Sequence, residues 1–142
     1  MKKLLALAFA IVAEEFKNDF DKGGEPYIMH LLYVMSKQTT DIRKILALLH
    51  DLPEDKGEQW FDKLLEMGFY QPIVSKLRIL TRLNNEDYQN DYIKRIALDP
   101  DCKAVKIADL EHNTKVSRLK GLRKKDFDRL EKYCVAYQYL KD

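Results

Sequence analysis

The sequence predicts an all-α protein, one helical bundle of about seven or eight helices occupying residues 1–142 as a single domain. Three observations predict it. Apolar residues recur at helical spacing through most of the chain. No segment alternates apolar and polar residues as a half-buried strand does, and no β-hairpin turn is present. A length of 142 residues suits one domain with one core. There is no internal repeat and no low-complexity linker.

The first helix is expected over about residues 2–18. Its start, MKKLLALAFAIVAEEF, imitates a secretion signal: two lysines, a ten-residue apolar run from Leu4 to Ala13, and Ala8-Phe9-Ala10 in place of a cleavage site. The run is too short to cross a bilayer. It also passes unbroken into Glu14, Glu15 and Phe16, with Leu5, Ala8, Phe9, Val12 and Phe16 on one stripe. It therefore reads as the first core helix of a cytoplasmic protein, with no membrane role. A loop, NDFDKGGE, follows. Pro26 opens the second helix at its first turn, where the missing N–H costs nothing, and that helix runs to about Lys37. Thr40 and Asp41 offer an N-cap to the third, DIRKILALLHDL, which Pro53 helps to end. GEQWFDKLLEMGF is a short helix stopped at Gly68. Further helices are expected at roughly 71–83, 85–98, 101–117 and 126–141. Asp126 would cap the last, with Phe127, Leu130, Cys134 and Tyr137 as its apolar stripe.

Several function classes are disfavoured at once. GxxxxGK[ST] and GxGxxG are both absent, which argues against Walker-type and dinucleotide sites. Cys102 and Cys134 are far apart and no CxxC occurs, so zinc ribbons and disulfide scaffolds are disfavoured. A net charge of +2 is too near balance to advertise nucleic-acid binding. The positive excess concentrates in KVSRLKGLRKK, residues 115–125, with six cations and no anion. Such a run is most often a solvated loop.

Chemistry gathers around the histidines. LLHDLPED puts His50, Asp51, Glu54 and Asp55 within six positions at the end of the apolar run ILALL. Carboxylates drawn towards an interior repel one another and suffer desolvation; a divalent cation removes both problems. A second helix end, AVKIADLEHN, presents Asp109 and Asn113 four residues apart on one face. His30 in YIMHLLYV, taken alone, reads as a hydrogen-bonded core histidine. Two such helix ends and a helical histidine are a set of metal-ligand types whose convergence spacing cannot prove.

The ordered series KGGEPYIMH, ALLHDLPED, LTR, EDYQNDYIKRI, VKIADLEHN and RLEKYCVAYQYL resembles the HD-domain phosphohydrolases. Within them it is most similar to the small, hydrolase-only branch of the RelA/SpoT alarmone group, which removes pyrophosphate from the 3′ position of (p)ppGpp. The resemblance covers nearly the whole chain. It implies one divalent ion, manganese by family preference with iron or zinc compatible, held by His30, His50, Asp51 and Asp109. It also implies that Glu54 and Asp55 position and activate the attacking water. Lys22, from the K-x-G-E-P-Y element, and Asn113 match substrate contacts; Lys106 and Arg82 join them on charge alone. The chain departs from the family where an arginine usually faces the guanine, which here is Asp21. It departs again at Phe16-Lys17-Asn18-Asp19, at Leu31 after the first ligand, and at KVSRL beyond Asn113. A carboxylate at position 21 would repel a nearby phosphate and weaken guanine selectivity. The expected function is metal-dependent release of pyrophosphate from a guanosine 3′,5′-bis(diphosphate)-like nucleotide. Two alternatives stand beside it: an HD nucleotidase acting on other (deoxy)nucleoside phosphates, and a non-catalytic nucleotide- or RNA-binding module.

Overall fold

Residues 45–49 have no solvent-exposed surface, and they mark the axis of the protein. They belong to α3 (Asp41–Leu49), whose N-cap Thr40 accepts a hydrogen bond from the Arg43 amide, as its sequence predicts. The computed structural model describes residues 1–142 and is all-α, matching the predicted class. Around α3 pack α1 (Lys2–Glu15), α2 (Ile28–Ser36), α6 (Gln71–Leu80) and α8 (Pro100–Asn113). The short α4 (Leu52–Lys56) and α5 (Gln59–Glu66) lead into α6. A π-helical turn, Tyr88–Ile93, runs directly into α7 (Lys94–Ala97), and α9 (Lys124–Lys141) closes the bundle against α8. No helix is long and apolar enough to cross a membrane. Since α3 is walled in on every side, Leu48→Ala is expected to cost about 2–5 kcal/mol, the range for emptying a packed leucine site. Urea denaturation measures it, and a loss below about 1 kcal/mol would contradict this packing.

Several boundaries differ from the sequence expectation, each for a local reason. Pro53 does not end the third helix; α3 stops at Leu49, and Pro53 stands in the first turn of α4, where its lack of an N–H is harmless. The last helix begins at Lys124, so Asp126 is not its cap residue. Its carboxylate instead reaches back to the Arg123 amide, as the third residue of a capping box does. The predicted stripe on α9 is rotated as well. Phe127 and Cys134 are exposed, while Asp126, Ala136 and Leu140 are buried with Tyr133 and Tyr137 beside them. In α1 the stripe holds at Ala8, Val12 and Phe16, but Phe9 faces solvent and Ile11 takes its place. The helix expected at 85–98 is part π-helical, and the one expected at 101–117 ends at Asn113.

Candidate metal centre

Three separate parts of the chain aim side chains at one point. α2 supplies His30 from its buried face and α8 supplies Asp109. His50 and Asp51 come from the break between α3 and α4. Pro53 stands in the first turn of α4, and at the junction just before it two adjacent residues both face the cluster. One atom from each of His30, His50, Asp51 and Asp109 lies within 4.8 Å of the other three, and His30, His50 and Asp109 are buried. His30 Nε2 is 2.8 Å from Asp109 Oδ1 and 3.9 Å from Asp51 Oδ2. His50 Nε2 is 3.2 Å from Asp51 Oδ2 and 3.4 Å from Asp109 Oδ1.

This group could bind a metal ion, and one atom supports the fit in particular. His50 Nε2 is buried yet has no hydrogen-bond partner. Carboxylate oxygens of Asp51 and Asp109 stand within ion-pair distance of it. Ligand atoms held about 2.0–2.2 Å from one ion stand roughly 3–3.5 Å apart, and the two His50 distances fall in that range. Two imidazoles and two carboxylates are a donor set for a divalent transition ion.

The surroundings prepare both histidines. His50 Nδ1 donates to the Ala47 carbonyl at 2.6 Å, leaving Nε2 to face the cluster. Burial pushes the His50 imidazole down, but Asp51 and Asp109 outweigh it and hold its proton affinity well above the ordinary range. The charges that attract a proton there attract a cation equally. Asp109 is opposed by its own burial and held well below the usual carboxylate range by Lys106, His30 and His50. Lys106 Nζ donates to Asp109 Oδ2 at 2.9 Å, and Asn113 Nδ2 donates to Oδ1 at 3.0 Å, confirming that Asp109 and Asn113 share a face. The Tyr27 hydroxyl donates to Asp51 Oδ2.

His112 is the part that sequence reasoning missed. Its Nδ1 lies 2.7 Å from His30 Nδ1, and its ring stacks on Tyr33 at 4.3 Å. Burial, then the neighbouring His30, Arg118 and Lys115, lower its proton affinity to about 4, so it is neutral near pH 7. Were His30 Nε2 to hold a metal, its Nδ1–H would donate to His112 Nδ1, and that contact would fix the tautomer ligation needs. The one available signal was position: Asp109, His112 and Asn113 fall on one helical face. His112→Phe keeps a ring against Tyr33 and removes the acceptor. It is expected to weaken metal affinity by about 10–100-fold in a metal titration, the usual effect of losing such a partner. Unchanged affinity would remove His112 from the centre.

Two lobes of open space flank the cluster and share Tyr27, Asn113 and Tyr133. The larger, about 270 Å³, has Glu54, Asp55, Arg82 and Lys106 in its walls. Glu54 and Asp55 make no hydrogen bond within the cluster and keep accessible surface at the cavity mouth. Even so, partial burial, then the charge of Asp51, raises both; Asp55 reaches about 6. The smaller lobe, about 170 Å³, is lined by Lys22, Asn113 and Arg118. All the residues singled out in the sequence therefore stand around one site, with Lys22 on the side away from Glu54.

Asp21 behaves differently from the expectation of a free, repelling carboxylate. Its Oδ1 accepts from the Gly23 and Glu25 amides, and its Oδ2 accepts from Arg118 at 2.7 Å. Arg118 also donates to the His112 carbonyl at 2.9 Å. Within the run 115–125 the half-buried Arg118 is thus tied into the site, and its charge is paired with Asp21. Gly23 permits this closure, since a Cβ there would strike the Arg118 carbonyl oxygen. No family model matches the chain, and no curated protein does.

Proposed function

We propose that this chain is a metal-dependent phosphohydrolase of the HD-domain kind, releasing pyrophosphate from the 3′ position of a (p)ppGpp-like nucleotide. The observation that carries the reading is the convergence of His30, His50, Asp51 and Asp109 within 4.8 Å beside a cavity that also holds Glu54 and Asp55. The order of motifs described above supports the same reaction class.

His30, His50, Asp51 and Asp109 would hold the ion, manganese in first place and iron or zinc also compatible. When bound, it supplies a Lewis acid for a phosphoryl oxygen and brings the pKa of water towards neutrality. Glu54 and Asp55 orient the attacking water and accept its proton, a task suited to carboxylates whose proton affinity is raised. Asn113 and Lys22 bind the substrate from the smaller lobe, with Asn113 also fixing Asp109. Tyr27 orients Asp51 through its hydroxyl.

With position 21 occupied by an aspartate already engaged with Arg118, no guanidinium stacks on the base from there. Guanine selectivity is accordingly weak. The test is a turnover panel run with manganese on ppGpp, pppGpp, the adenine counterpart and common nucleotides, with products identified. Pyrophosphate released from both the guanine and adenine alarmones supports the reading. A strong guanine preference overturns weak selectivity, and free phosphate from monophosphates moves the chain to the nucleotidases. Binding without turnover of any of them leaves a nucleotide-binding module.

A further inference from the structure

One part of the larger lobe's lining is built unlike the rest of the site. The Tyr88 ring, in the π-helical turn, is approached by two cations: Arg82 with its guanidinium carbon 5.2 Å from the ring centre, and Lys132 with its Nζ 4.6 Å away. Neither cation makes an ion pair. Both line the lobe, together with Lys106 and Tyr88. Lys106 is buried and has one carboxylate partner, Asp109, on its cluster side. Three cations thus share one wall while only one is matched.

Tyr88 is the second, independent observation. It is 9% exposed, its hydroxyl is fully buried, and that hydroxyl has no hydrogen-bond partner. Buried hydroxyls are ordinarily partnered. Lys106 lines the same lobe, and Arg82 and Lys132 stand over the Tyr88 ring. Tyr92, one helical turn on, shows the contrast, because its hydroxyl donates to the Leu80 carbonyl at 2.7 Å. Burial and the neighbouring Arg82, Lys106 and Arg129 also make the Lys132 ammonium harder to keep charged, which an anion between them would relieve.

We propose that Arg82, Lys106, Lys132 and the Tyr88 hydroxyl form an anion subsite that takes a phosphate group of the substrate other than the one presented to the His/Asp cluster. The naming of that group as substrate phosphate rests on the hydrolase reading; the anion binding itself does not. Lys132 lies on α9, so the subsite spans the cavity between the π-helical turn and the closing helix. A tyrosine hydroxyl and ammonium groups donate to phosphoryl oxygens, and an arginine fork can grip two of them at once.

The test is calorimetric titration of the full-length protein with inorganic phosphate, first with chelator present and then saturated with manganese. Arg82→Ala and Lys132→Ala are both at exposed positions, and each is expected to weaken phosphate binding about tenfold under both conditions, the scale of one charge-assisted hydrogen bond. Tyr88→Phe keeps the ring and should weaken it several-fold, while Lys132→Arg retains binding. Affinity unchanged by Arg82→Ala, Lys132→Ala and Tyr88→Phe overturns the subsite. If no nucleotide is hydrolysed but these losses appear, the hydrolase reading fails and the anion site stands. If turnover occurs and phosphate affinity ignores all three substitutions, the hydrolase stands and the subsite falls.

Discussion

Asp109→Asn is expected to abolish metal binding and to lower stability by about 3–5 kcal/mol, the cost of breaking a buried ion pair from one side. Both oxygens of Asp109 accept from donors. Oδ2 faces the Lys106 ammonium at 2.9 Å; Oδ1 faces the Asn113 amide at 3.0 Å and His30 Nε2 at 2.8 Å. An asparagine of the same shape must turn its NH₂ towards one of these sets, because it has a single oxygen. Turned towards Lys106, it leaves a buried ammonium with no acceptor. Turned towards the cluster, it offers no lone pair for a metal. Urea denaturation with chelator present isolates the stability loss, and a manganese titration reads the binding loss. Wild-type metal content in Asp109→Asn would remove the residue from the ligand set.

The second large effect concerns rate alone. Glu54→Gln is expected to retain metal and lose about 10²-fold or more in turnover, the scale of a general base. Glu54 lies one turn beyond Asp51 in α4, inside the same lobe but outside the ligand group. Its proton affinity is raised by partial burial, then by Asp51, with Lys106 and His50 opposing. Glutamine keeps the size and removes the proton acceptor. Parallel manganese and turnover measurements separate the roles: loss of metal would make Glu54 a ligand, and unchanged turnover would leave it idle.

What could be read from the sequence follows the range of the interactions involved. The α3 cap at Thr40, the shared face of Asp109 and Asn113, and the crowding at His50-Asp51 are set by residues a few positions apart. Periodicity and capping report such relations directly. Pro53 was read with the right chemistry at the wrong end of a helix, because a proline stops one helix or starts the next with equal ease. The α9 stripe missed by about one residue, since Leu130 and Tyr137 border both candidate faces and only packing against α8 selects between them. Asp21 and Arg118 are 97 positions apart, and His30 and His112 are 82 apart. No local pattern carries those pairs. The resemblance named the four residues that converge, but gave no role to His112, the neighbour of His30.

The wide separation of the ligands along the chain has a thermodynamic consequence. His30 and Asp109 lie 79 residues apart on different helices, with His50 and Asp51 between them in the chain, so the unfolded chain offers no preformed grip for a cation. An ion that binds only the folded form acts by mass action as a removable crosslink. At a free concentration one hundred times its dissociation constant it would add about 2.7 kcal/mol to folding. Because α2, the α3–α4 junction and α8 supply every ligand, this reinforcement falls on the centre of the bundle. Helix α9 contributes none of the four residues, so such an ion would not tie it directly to the rest of the bundle.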